Sequence, residues 1–154
     1  MAYLVLKYVH IVGATVLFGT GLGIAFFLFV AIRSKNIALI AGTLRAVVRA
    51  DFAFTAPAVA TQLVTGIALA SMLGLPLTRG WVAAALGLYG LVGACWLPVV
   101  AIQMRMRRLA EAAVNEGTPL PAEFQRLFRV WFRLGWPAFA GVLAIVALMV
   151  WQPT

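Results

Sequence analysis

Four uncharged, largely apolar stretches, residues 8–32, 52–78, 80–104 and 134–154, run through the chain, and all twelve Lys and Arg and all four Asp and Glu lie outside them. A helix of ~20 residues crosses the ~30 Å hydrocarbon core of a bilayer, and each stretch meets that length. Lipid offers no partner for a bare peptide group, so a spanning segment must bond its own backbone, which a helix does and an isolated strand does not. The pattern predicts an all-α fold, a four-transmembrane-helix bundle with two amphipathic cytoplasmic segments. It forms a single integral membrane domain over residues 1–154, with spans at about 3–32, 52–75, 81–104 and 134–152.

Between the spans the period stays helical while one face turns polar. Ile37, Ile40, Leu44 and Val47/Val48 recur at helical spacing with Arg45 and Arg49 pointing elsewhere, which predicts a short amphipathic helix lying on the inner leaflet over residues 36–50. Segment 109–133 extends the third helix, breaks at Asn115-Glu-Gly-Thr-Pro-Leu-Pro121 and resumes. There Phe124, Leu127/Phe128 and Trp131 oppose Arg126, Arg129 and Arg133 as a second interfacial helix. Gly74-Leu-Pro-Leu-Thr-Arg-Gly80 makes a helical hairpin of spans two and three. Pro57 falls in or just after the first turn of span two, Pro98 predicts a kink in span three, and Gly135-Trp136-Pro137 punctuates the start of span four. Gly19 and Gly23 have the spacing that lets another helix approach closely, within the bundle or across a dimer.

Composition agrees: 64% of residues are hydrophobic and 10% charged, against roughly 25% charged in soluble domains. The spans use up the length, leaving no water-soluble catalytic module. The net charge of +8 raises nucleic acid as a partner, but its placement argues against it. Ten of the twelve basic residues, Arg33, Lys35, Arg45, Arg49, Arg105, Arg107, Arg108, Arg126, Arg129 and Arg133, fall on one side of the membrane. Only Lys7 and Arg79 flank the other. The positive-inside rule then puts both termini outside a bacterial cytoplasmic membrane, with anionic lipid headgroups as partners of the basic side. The first apolar stretch is too long for a signal-peptide core and reads as a retained helix. Cys95 is the single cysteine, which excludes an intrachain disulfide and a CxxC site.

Candidate chemistry is sparse. His10, the one histidine, lies near the outer end of span one, where an imidazole needs a partner; it is a candidate axial ligand of haem iron. Met72 and Met149 share its approximate level on spans two and four, and Tyr89 is slightly deeper on span three, so these three are candidates for the other side of a haem. A homodimer offers two copies of His10 instead. Thr61, Gln62 and Thr65 put a polar stripe within span two, either bonding across helices or lining a pocket. Asp51 and Arg105 place charge at the inner rim: Asp51 caps span two, pairs with Arg49 or Arg105, or relays protons. No His/Cys/carboxylate cluster has metal-ligand spacing, and Gly19-Thr-Gly-Leu-Gly23 follows no strand, which rules out a phosphate loop.

Four segments carry a family resemblance: Leu6-Lys7-x-x-His10-Ile11 with Gly19; Ala50-Asp51-Phe-x-Phe-Thr-Ala-Pro57; Cys95-Trp96-Leu97-Pro98-Val99-Val100 with Gln103-x-Arg105; and Trp131-Phe132-x-x-Gly135. Together they resemble a bacterial integral membrane family, domain of unknown function 2269, over essentially the whole chain. More distantly, Leu6-Lys7-x-x-His10-Ile11 is similar to the first helix of haem-dependent membrane protoporphyrinogen oxidases and of copper-resistance D membrane proteins. The oxidase resemblance implies a haem-binding role for His10. Those oxidases follow a third-helix tryptophan with a lysine, whereas Trp81 here is followed by Val82, Ala83, Ala84 and Ala85. The expectation is a small membrane protein binding haem b in redox or electron transfer. The alternatives are a non-enzymatic accessory subunit binding lipid or a partner helix through Gly19, Gly23 and Gly87/Gly90/Gly93, and a small transporter using Thr61, Gln62 and Thr65. The residues leave open whether the chain is an enzyme.

Overall fold

The computed structural model describes residues 1–153, and helices make up nearly all of it. They are α1 (Ala2–Arg33), α2 (Ile37–Ala50), α3 (Ala56–Met72), α4 (Gly80–Glu116) and α5 (Ala122–Trp151). A π turn, Asp51–Thr55, joins α2 to α3 without a break. Four continuous helical rods result, Ala2–Arg33, Ile37–Met72, Gly80–Glu116 and Ala122–Trp151, each long and apolar enough to cross a membrane. The chain turns sharply between them. Asn36 caps α2 by accepting from Leu39 N–H at 3.0 Å. Gly117 ends α4 in the left-handed region (φ 64°), letting Thr118 N–H reach back to Ala113 O at 3.0 Å.

Pro57 explains the π turn. It has no N–H to return to the preceding turn, and its ring presses on the carbonyl of Ala53. The helix widens just ahead of it, so that Ala56 N–H bonds Asp51 O, one residue farther back than in an α-helix. The helical rod begins twenty residues before Pro57, at Ile37, so proline stands in the first turn of α3 yet deep within the rod. Span two starts accordingly inside a longer rod, and α5 runs uninterrupted through Gly135-Trp136-Pro137.

At 1.5 Å per residue the 32-, 36-, 37- and 30-residue rods are roughly 45–55 Å long, well over the ~30 Å hydrocarbon core. The surplus lies at the basic end, and there the side chains close up. Leu28, Ile40, Leu44, Met106, Ala110 and Phe124 are fully or almost fully buried in one cluster, with Ala31, Ala41, Val47 and Trp131. Water drives this burial; between helices in lipid no such force acts. The mid-membrane surfaces instead expose Phe26, Val64, Leu97 and Val146, as lipid-facing positions should. The two segments expected to lie on the inner leaflet are amphipathic, but their apolar faces cover neighbouring helices: Ile40, Leu44 and Val47 from α2 and Phe124 and Trp131 from α5 all enter this cluster. Exposed ion pairs ring it, Arg45 to Glu111 at 3.6 Å and Arg105 to Glu123 at 2.8 Å.

Neighbouring rods run antiparallel. α1 packs along α3 and α2, α2 along α4, and α4 along α5. The stacked Phe18–Phe139 pair (5.5 Å between ring centres) and the Phe29–Phe132 pair close the square between α1 and α5.

Candidate functional site

The buried face of the Ile37–Met72 rod is polar along its upper half. Asp51, Thr55, Ala58, Gln62 and Thr65 follow one another at alternating four- and three-residue steps, the spacing of a helix–helix seam. Asp51, Thr55, Ala58 and Thr65 are buried and Gln62 half-buried. α4 answers with Tyr89, Trp96 and Gln103, spaced by seven.

At the outer end, α1 supplies His10. Its Nδ1 lies 2.7 Å from the Thr65 hydroxyl, and that hydroxyl donates its single proton to Thr61 O at 2.6 Å. With that proton on Thr61 O, Thr65 accepts from His10 Nδ1–H, the neutral tautomer that leaves a lone pair on Nε2; with the hydroxyl turned to the ring, Thr65 donates to Nδ1 instead. Nε2 has no hydrogen-bond partner among the described residues. Gln62 Nε2 donates to His10 O at 2.6 Å, clamping the backbone of the same residue. Two glycines make room: a Cβ on Gly66 would lie 3.3 Å from His10 Cε1, and one on Gly13 would lie 2.5 Å from Gln62 Nε2. Thr61, Gln62 and Thr65 thus act together, Thr61 through its carbonyl.

Tyr89, Met72 and Met149, expected opposite His10, make no hydrogen bond with it among the described residues. Tyr89 donates its hydroxyl to Val59 O at 2.5 Å, tying α4 to α3 below the histidine. Met72 is half-exposed and seven residues beyond Thr65, roughly 10 Å farther along the helix axis. Met149 is half-buried on α5, which packs on α4. Two open grooves face outward, one of ≈ 290 Å³ between α1 and α3 walled by Tyr8, Val12, Gly13, Phe54 and Thr61, the other of ≈ 440 Å³ between α4 and α5. His10 is on the wall of neither. No group of three or more His, Cys, Asp or Glu able to hold a metal ion occurs among the described residues.

At the inner end Asp51 is 3% exposed and Gln103 1%. The Gln103 amide is assigned from its neighbours: NH2 donates to Asp51 Oδ2 at 2.5 Å, and the amide oxygen accepts from Trp131 Nε1 at 3.2 Å. The Thr55 hydroxyl and Trp96 indole N–H also lie beside the Asp51 carboxyl, yet neither is in hydrogen-bond geometry with any acceptor. Contrary to the expectation from the sequence, Asp51 neither caps a helix with its side chain nor pairs with Arg49 or Arg105. It lies inside a continuous rod, and Arg105 points outward to grip Glu123 through two bonds of 2.8 and 3.1 Å. That hydrogen-bonded guanidinium holds the Glu123 carboxyl, outside the spans, below the usual carboxylate range. Gln103, Trp96, Trp131 and Thr55 were not anticipated as a group. The seven-residue spacing on α4 and the four-residue step from Asp51 to Thr55 were the available signals.

Of the glycine faces, Gly19, Gly23, Gly87, Gly90 and Gly93 meet nothing within 4 Å of a built Cβ, so they are not closely packed within this chain. Gly141 is, with Val92 Cγ2 at 2.6 Å from such an atom.

Four membrane-length helices with a buried polar seam, and with their cations gathered at one end, define an integral membrane bundle. Residues 4–153 match the family described as predicted integral membrane protein (DUF2269), and the chain belongs to it. No curated protein and no solved structure matches it significantly.

Proposed function

We propose that this is a haem-b-binding redox or electron-transfer protein of the bacterial cytoplasmic membrane, with both termini outside and His10 as an axial ligand. The observation that carries the reading is the buried 2.7 Å contact between His10 Nδ1 and the Thr65 hydroxyl. With the hydroxyl proton on Thr61 O, Thr65 accepts from Nδ1–H and leaves Nε2 basic and unpartnered, the arrangement that holds metal-ligating histidines in one tautomer and orientation. Haem, when bound, supplies one-electron chemistry; the chain's own residues orient the ring. The donor set fits one axial position. Met72, Met149 and Tyr89, or the His10 of another copy, are the candidates for a second. The gathering of ten cations at one end supports the sidedness.

The test is an oxidised and a dithionite-reduced visible spectrum of protein purified in mild detergent, beside His10→Ala and Thr65→Val. A b-type spectrum that His10→Ala abolishes and Thr65→Val weakens is expected, with helix content unchanged by circular dichroism. Protein that stays colourless after haem addition would overturn the reading and favour the accessory-subunit alternative.

A further inference from the structure

The inner cluster serves no part of that reading. A carboxylate is costly to bury unless it is paired or fully hydrogen-bonded, yet every group against Asp51 is neutral: the Gln103 amide, the Thr55 hydroxyl and the Trp96 indole. No Lys, Arg or His lies within 4 Å of its carboxyl among the described residues.

The charged groups on the surrounding elements are exposed or paired elsewhere, Arg107, one turn beyond Gln103 on α4, lying 3.9 Å from Glu111. α1 carries no charge between His10 and Arg33. On α2, Arg45 pairs with Glu111 and Arg49 is exposed; on α4, Arg105 pairs with Glu123; on α5, Arg129 and Arg133 are exposed. Donors surround the carboxyl where a metal cation would need oxygen acceptors, and the one acceptor on Gln103 is taken by Trp131. Thr55 is 5% exposed with its hydroxyl unpartnered. A hydroxyl suits both forms of the acid, donating to a carboxylate and accepting from a carboxylic acid. The π turn that presents Asp51 and Thr55 is the kind of helix irregularity found often at functional sites.

We propose that Asp51 is a reversible proton-binding site at the basic end of the bundle, with Gln103 held by Trp131 to position its carboxyl and Thr55 to accept a hydrogen bond from the protonated acid. The proton adds to Oδ1, because Oδ2 is engaged by Gln103, and comes from the aqueous phase on the basic side.

Asp51 is the only aspartate in the chain, so aspartate labelled with ¹³C at the side-chain carboxyl reports this one group. The experiment is a pH titration of that resonance in the full chain in detergent, from about pH 4 to about pH 9, run natively and after unfolding in strong detergent. The expected result is a single-proton transition whose midpoint differs from that of the unfolded chain and moves in Gln103→Leu. A native resonance that does not move over this range, or one that titrates as in the unfolded chain, would overturn the proposal. So would a resonance that shifts with sodium concentration at fixed pH.

Discussion

At the residue scale, contact decides which small side chains matter, and spacing alone does not. Gly19 and Gly23 carry the familiar spacing, but a Cβ on either would meet nothing within 4 Å, whereas Gly141, which no motif marks, sits against Val92. Gly141→Ala drives a methyl to 2.6 Å from a branched side chain with little freedom to move. Overpacking of this kind costs about 1–3 kcal/mol. Thermal unfolding in detergent should show a lowered midpoint for Gly141→Ala and none for Gly87→Ala, which has open space. His10 and the Thr61, Gln62 and Thr65 stripe were legible in the sequence because polar residues inside a span demand partners. That Thr65 and Gln62 both serve His10 was not legible, since it depends on the register between α1 and α3.

At the element scale, the four spans were readable from length and hydropathy, while the role of the amphipathic segments was not. Periodicity reports an apolar face but not what covers it, and the face of α2 that looked suited to a leaflet is buried by α1 and α4. Proline likewise marked a disturbance at residue 57 without revealing that the rod had already begun at Ile37. The consequence is a division of labour along each rod, with packing at the basic end and lipid contact above it. Phe124 is fully buried and Phe26 is 60% exposed. Phe124→Ala should lose about 3–5 kcal/mol in reversible unfolding, and Phe26→Ala should change little. Equal losses from the two would contradict a core confined to the basic end.

At the scale of the whole molecule, two ionisable sites lie at opposite ends of one polar seam, His10 near the sparsely charged end and Asp51 near the basic one. The all-helical bundle and its charge asymmetry were visible in the sequence. The pairing of Asp51 with Gln103 was hidden because it joins helices 52 residues apart through side chains that look like ordinary rim polarity. The central claim is that His10 Nε2 binds iron, and removing the ring while leaving its space tests this most directly. His10→Gly protein mixed with haem in detergent should remain without a b-type spectrum until free imidazole is added, and then regain it. A spectrum that His10→Gly retains without imidazole, or that imidazole fails to restore in a folded protein, would contradict the account.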